Sequence, residues 1–186
     1  MQKIARILIV IGFLFSFYGM LLVWQRNNPQ RLTFSHYQAV STRESAVVPI
    51  RIRVVDLDID LPVVAVTMKD NKWQTTDDGV SYLKSSPIPG EKGNAILYGH
   101  NWPSLLGKLN QAQTGNKIEI TLSNKTKQLF VVHSLAVVSP DQSHVLQSTP
   151  DARITLYTCT GFLDSKRLVI TAMPAEEYNQ TVISQR

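Results

Sequence analysis

A chain of 186 residues, 44% hydrophobic and 18% charged, is long enough for one packed domain plus an appendage and too apolar to be disordered. The net charge of +5 does not mark a nucleic-acid binder: Lys3, Arg6 and Arg26 flank an apolar run, the rest of the chain carries only about +2, and no basic stripe interleaves with aromatics. A single cysteine excludes an intramolecular disulfide framework.

The first element is the apolar run 7–24, eighteen residues without a charge. As a helix it spans about 27 Å, close to the hydrocarbon thickness of a bilayer. Tyr18 and Trp24 are aromatics of the kind found at membrane interfaces. A cleaved signal peptide is the rival reading, but its apolar region is shorter and ends in small residues. Here the run ends Leu21-Leu22-Val23-Trp24-Gln25-Arg26, which offers no such site. The sequence therefore predicts an uncleaved signal-anchor. Residues 1–6 are expected in the cytoplasm and residues 7–24 across the membrane, with the following domain outside. Lys3 and Arg6 favour that orientation, Arg26 and Arg31 oppose it, and a long downstream domain translocates largely regardless of charge.

Residues 25–46 are polar, include Pro29, and read as a stalk. From Val47 the texture changes to short Val- and Ile-rich runs separated by Pro, Gly, Asn and Asp, the pattern of a mainly β domain. Strands are expected at 50–55, 61–66, 95–98, 117–122, 128–138, 153–159 and 168–172. Residues 58–62 read as a turn, Ser123-Asn124-Lys125-Thr126 as a hairpin, and 103–110 as one short helix. Such a set of strands suits a closed barrel, which removes exposed edges. The domain is expected over 47–175, with 176–186 as a tail.

The last two strands carry the chemistry. Cys159 ends the run Thr155-Leu156-Tyr157-Thr158-Cys159, and Arg167 follows eight residues later. If Cys159 lies opposite Arg167 in an antiparallel pair, Tyr157 meets Val169 and Thr155 meets Thr171. The other face then receives Ile154, Leu156, Leu168, Ile170 and Ala172, almost wholly apolar as a core face must be, whereas a one-residue slip mixes the faces. A thiol beside a guanidinium is a nucleophile beside an anion-stabilising group, because arginine stays charged and presents a planar fork of donors. The plainer alternatives are a buried cysteine acting as a small apolar filler and a surface arginine paired with Asp164.

His100 follows the strand 95–98 in Tyr98-Gly99-His100-Asn101, and its ordinary pKa suits acid–base work. A hydrated loop histidine is the alternative. His36 falls in the stalk, His133 inside a strand pattern and His144 in a polar loop; none has a companion motif.

With these residues in this order, the chain resembles the sortases, membrane-anchored cysteine transpeptidases of bacterial surfaces. The resemblance rests on the Thr-Leu-x-Thr-Cys signature at 155–159, on Arg167, and on Gly99-His100. It extends to Pro89-Gly90-Glu91 with Gly93-Asn94-Ala95, to Leu106-Gly107-Lys108-Leu109, and to 49–64, so that it covers about 47–173. It implies an eight-stranded barrel with one or two short helices behind a transmembrane helix. It also implies cleavage of a sorting motif of the Leu-Pro-x-Thr-Gly type. Cys159 would form the thioacyl intermediate, His100 would act as acid and then base, and Arg167 would hold the oxyanion. Thr158 is expected on the substrate side. The implied partners are surface proteins bearing a sorting signal and an amine acceptor such as a cell-wall precursor, at the cell membrane.

No cofactor or metal is implied. Asp141 and Asp151 lie in the loop before the signature, but two scattered carboxylates are too few for a hard cation. No Asp-Pro-aromatic lid motif appears in 25–45 and no second apolar span follows the domain, which argues against the pilus-polymerising class. A cysteine L,D-transpeptidase would carry Ser-His-Gly-Cys, which Tyr157-Thr158-Cys159-Thr160 does not match. An anchored β domain that binds surface peptides, and a thiol peptidase that only hydrolyses, remain as alternatives.

Overall fold

The computed structural model describes residues 2–26, 32, 47–69 and 72–184. Helix α1 (Gln2–Arg26) is apolar and long enough over Gln2–Trp24 to cross a membrane, and the protein buries none of that stretch. Of the stalk expected at 25–46, Gln25 and Arg26 belong to α1 and Leu32 is described; His36 and the rest lie outside the described residues.

The domain is a closed eight-stranded barrel with a separate two-stranded hairpin. The strands are β1 (Pro49–Val54), β2 (Ile59–Val66), β3 (Met68–Lys69), β4 (Lys72–Trp73), β5 (Val80–Leu83), β6 (Gly93–Tyr98), β7 (Lys117–Leu122), β8 (Lys127–Val138), β9 (Ala152–Thr160) and β10 (Lys166–Pro174). Around the barrel the order is β1-β2-β5-β6-β9-β10-β8-β7, while β3 and β4 pair only with each other. Two joins are parallel, β2 with β5 and β6 with β9; the rest are antiparallel.

Alternation explains the outer wall. In β1 and β7, Ile52, Val54, Ile118, Ile120 and Leu122 point inward, while Arg51, Arg53 and Lys117 face water. On the opposite wall β5, β6, β9 and β10 are buried on both faces. Their inner residues, among them Val80, Tyr82, Ala95, Leu97, Ile154, Leu156, Leu168 and Ile170, join the barrel interior. Their outer residues Leu83, Ile96, Tyr98, Tyr157 and Val169 form a second cluster, covered by Trp73 of β4, by Val138, and by Leu146 from the short 3-10 turn Ser143–Leu146.

The expected strands and the hairpin at Ser123–Thr126 are present: Leu122 donates to the Thr126 carbonyl at 2.9 Å, and Lys125 turns back at φ 70°. The turn before β2 comes earlier than 58–62. A 3-10 turn at Val55–Leu57 ends on Asp58 at φ 50°, and β2 begins at Ile59. The helix expected at 103–110 is a 3-10 segment, Leu106–Gln111. Strand β5, the β3–β4 hairpin and a C-terminal helix α2 (Ala175–Ser184) were not anticipated; α2 carries Glu176 and Glu177 in its first turn, where acidic side chains favour a helix start.

Candidate active site

The parallel pairing of β6 with β9 sets the site. Tyr98 lies beside Tyr157. One step further, the Gly99 amide donates to the Tyr157 carbonyl at 3.3 Å and the Thr158 hydroxyl donates to the Gly99 carbonyl at 2.7 Å. His100 therefore leaves β6 level with Cys159, on the face that carries Tyr98 and Tyr157. On the other edge of β9, Cys159 pairs with Arg167 of β10, with Tyr157 opposite Val169 and Thr155 opposite Thr171, the register expected from the alternation. His100, Cys159 and Arg167 thus fall in one row by register, Cys159 and Arg167 on paired strands about 4.8 Å apart and His100 two residues past the last paired residue of β6.

Burial removes the plainer readings of two of them. His100 is 7% exposed and Arg167 3%, so neither is a hydrated surface group. Cys159, 6% exposed, lies between them.

An aromatic platform lies one step below the row. Tyr98 and Tyr157 stack with centroids 5.4 Å apart and planes 12° apart. Trp73 meets both edge-on, at 4.8 Å and 5.7 Å. The Tyr98 hydroxyl donates to the Gln74 carbonyl, and burial pushes its pKa up. Such packing fixes the strand ends with little conformational freedom.

Thr155, two steps below Cys159, donates to Asn94 Oδ1 at 2.7 Å. The Asn94 amide donates to the carbonyls of Gln147 at 3.3 Å and Val145 at 3.5 Å, which ties the loop before β9 onto the outer face. Thr158 points to the opposite side from Cys159 and spends its hydroxyl on Gly99. Its hydroxyl fixes where His100 departs from β6.

The His100 ring stacks on Trp102 with centroids 4.4 Å apart and planes 9° apart. Its Nε2 lies 3.4 Å from Oδ1 of the exposed Asp77. Burial lowers the His100 pKa, and the Asp77 and Asp164 carboxylates oppose that shift without overcoming it. At neutral pH the ring is therefore a neutral imidazole, and its contact with Asp77 is a polar contact rather than a full ion pair. The loop is braced from beneath: Leu106 donates to the His100 carbonyl at 3.1 Å, and Gly107 to the Trp102 carbonyl at 2.9 Å. A Cβ on Gly107 would stand 2.6 Å from the Asn101 carbonyl oxygen, so only glycine permits this approach.

Arg167 Nη1 donates to the carbonyls of Lys166 at 2.9 Å and Asp164 at 3.1 Å. Its Nε is buried with no acceptor among the described residues. A buried guanidinium donor lacking a partner is costly unless a ligand supplies one.

Residues 52–175 match the sortase domain family. The chain belongs to the sortase family. It is 29% identical over 124 residues to sortase A of Bacillus anthracis; the match takes in 64% of this chain and 56% of that relative, so this sortase spans little more than half the relative's length. Its structure is similar to that of Listeria monocytogenes sortase A, at TM-score 0.57 and 29% identity over 70% of this chain and 88% of that one. It is also similar to sortase C-1 of Actinomyces oris, at TM-score 0.58 and 25% identity over 67% and 72% of the two chains.

Of the remaining histidines in this sortase, His133 is exposed on β8 near Tyr178, and His144 is exposed in the turn before β9. Neither approaches the row. Asp151 is engaged by Arg153 at 2.5 Å, and no cluster of three metal-ligating side chains occurs among the described residues. Sequence reasoning did not single out Asp77 and Trp102 beside His100. Asn101 and Asp164 carry no sequence signal that pairs them, yet Asn101 Nδ2 donates to Asp164 Oδ1 at 2.7 Å.

Proposed function

We propose that this sortase is a membrane-anchored cysteine transpeptidase acting on a sorting motif of the Leu-Pro-x-Thr-Gly type. The observation that carries the proposal is the row of His100, Cys159 and Arg167 on one buried face. Helix α1 crosses the membrane as an uncleaved anchor with residues 1–6 inside. Residues 25–46 are the stalk, and residues 47–175 act outside. A Clostridium perfringens sortase C that shares the fold, at 22% identity, was solved with the C-terminal cell wall sorting motif, which supports a peptide of that kind as the substrate class.

In this reading His100 starts as the neutral imidazole that its lowered pKa favours. As Cys159 Sγ attacks the carbonyl carbon of the motif's threonine, the imidazole takes the thiol proton. The oxyanion that forms is held by Arg167, whose Nε has no acceptor among the described residues. Collapse breaks the Thr–Gly bond, and the imidazolium gives its proton to the leaving glycine nitrogen. The acyl half stays on sulfur as a thioester. An incoming amine then loses a proton to His100, attacks the thioester and releases the thiol, with one new amide bond for the one broken. Thr158 serves this sequence by fixing Gly99.

The test is mass spectrometry of the full chain quenched with a fluorogenic sorting peptide. The expected result is an adduct on the peptide containing Cys159, shortened in life by added amine and converted to a ligated product. Cys159→Ala abolishes both adduct and cleavage. Cleavage that survives in Cys159→Ala overturns the proposal. An adduct resolved by water alone, whatever amine is added, makes the protein a thiol peptidase, and the absence of any adduct makes it a binding module.

A further inference from the structure

We propose that Asp164 is a positioning residue that locks the His100 loop to the Arg167 strand and holds the two at the spacing the transfer requires. This rests on the transpeptidase reading above and adds a component that the nucleophile, acid–base and oxyanion roles do not contain.

The row has a structural weakness. Cys159 and Arg167 are fixed to each other by ladder pairing, but His100 lies beyond the last paired residue of β6. Its ring position depends on a loop. The backbone bonds to Leu105, Leu106 and Gly107 brace that loop from its own side of the site. The Gly99 bonds to Tyr157 and Thr158 fix its start to β9, and one more residue can fix it to the β10 side.

Asp164 does so with two separate groups. Its carboxylate accepts from Asn101 Nδ2 at 2.7 Å, one residue past His100. Its main-chain carbonyl accepts from Arg167 Nη1 at 3.1 Å. One residue thus bonds both to the neighbour of the base and to the oxyanion donor. It is itself only 8% exposed, unusual for a loop carboxylate, and Asn101 is half-buried.

The chain departs from ordinary conformation to put it there. Between Cys159 and Arg167, Gly161 has φ 78°, Leu163 φ 50° and Asp164 φ 61°. Leucine gains nothing locally from the left-handed region, whereas Asp tolerates it. Such strain persists only where the surroundings over-determine it. Here it turns the Asp164 carbonyl toward Arg167 and the carboxylate toward Asn101, while the Asp164 amide closes back on the Gly161 carbonyl at 3.2 Å.

A second effect follows from charge. The titratable groups in the row and on its flanks are Asp77 from the segment before β5, Cys159 from β9, Asp164 from the β9–β10 turn, and Arg167 from β10. Asp77 has the larger effect on the ring although it is largely in solvent, and Asp164 adds to it from a buried position. Both carboxylates favour the imidazolium against burial. Asp164 therefore stabilises the protonated ring that follows thiol attack, besides fixing its place.

The test uses the full chain in detergent micelles and four variants: Asn101→Ala, Asp164→Ala, their double, and Asp164→Asn. Asn tolerates the left-handed backbone and keeps an acceptor for Asn101 but removes the charge. Three readouts are taken: the rate and KM of Cys159 adduct formation, the His100 imidazole titration by NMR without substrate, and thermal unfolding.

Asn101→Ala and Asp164→Ala should each slow acylation about tenfold to a hundredfold at nearly constant KM, the size expected when a reacting group is misplaced by a fraction of an ångström to an ångström. The double variant should be no slower than the worse single one, because both remove the same tie. Asp164→Asn should lower the His100 midpoint, since one of the two opposing carboxylates is gone. Additive losses in the double variant, an unmoved midpoint in Asp164→Asn, or rate losses that merely track unfolding each overturn the proposal. If Asp164→Ala does not fold, Asn101→Ala and Asp164→Asn decide it. Should the wild-type chain form no adduct, the transpeptidase reading falls, yet the substrate-free midpoint still reports on Asp164.

Discussion

The hairpin of β9 and β10 has two faces that are both largely buried and chemically unlike. The inner face gives Ile154, Leu156, Leu168, Ile170 and Ala172 to the barrel interior. The outer face carries Thr155, Tyr157, Cys159, Arg167, Val169 and Thr171, with Tyr157 and Val169 in a second cluster. The difference lies in what covers each. The inner face meets other strands, whose backbone groups are already committed to ladders, so a polar side chain there has few partners. The outer face meets loops, a two-stranded hairpin and a 3-10 turn, whose carbonyls and side chains are available. Asp164 of the β9–β10 turn supplies such a carbonyl, and together with that of Lys166 at the start of β10 it lets the outer face tolerate a guanidinium that is 3% exposed.

The comparison is open to attack from its inner side first. Leu156→Ala deletes a side chain that is 0% exposed in the barrel interior and should lower stability by about 2–5 kcal/mol. Chemical denaturation of the full chain in micelles measures this, and the surviving folded fraction should acylate at close to the normal rate. A loss below about 1 kcal/mol would mean that the interior repacks and that the two faces are not distinct.

Arg167→Lys tests the outer side. It keeps the charge and loses the planar fork, so turnover should fall by about 10²–10³, the usual cost of one oxyanion donor, while the denaturation midpoint moves little. Near-normal turnover with a large midpoint shift would reverse the assignment and make Arg167 part of the structural frame.

The smallest effect is in pH. The folded-state pKa of His100 lies below its ordinary value through burial, so between the two values the unfolded chain binds more protons than the folded one. Stability should therefore fall as pH drops through the ordinary imidazole range towards the folded value, and should be flat above it. His100→Gln should remove that slope. A slope unchanged in the variant would assign it to other groups.

Much of this outer face is legible in the sequence. The register of β9 against β10 follows from one requirement, that the inner face be apolar, and it places Cys159 opposite Arg167. Strand β5 escapes notice for the converse reason: Val80-Ser81-Tyr82-Leu83 is short and buried on both faces, so it shows no alternation. The Trp73 hairpin consists of two-residue strands, below any periodic signal. Asp164 and Asn101 read as turn residues because polar loop positions carry no period at all. Their partnership is set by how two loops meet 63 residues apart in sequence. The signature sets Thr158 next to Cys159, and the strand's own alternation turns the two side chains to opposite faces.

The parallel seam between β6 and β9 has a consequence in time. The strand that launches His100 is complete mid-chain, but its neighbour β9 arrives only after β7 and β8, and β10 arrives last of all. As the polypeptide emerges N-terminus first, its one thiol is made before the guanidinium that flanks it, and non-local parallel pairing is slow to form. Until that seam closes, Cys159 is an ordinary thiol with no base beside it and no anion site ahead of it. The three side chains come into register only as the seam closes, so the chemistry of the thiol is tied to completion of the fold.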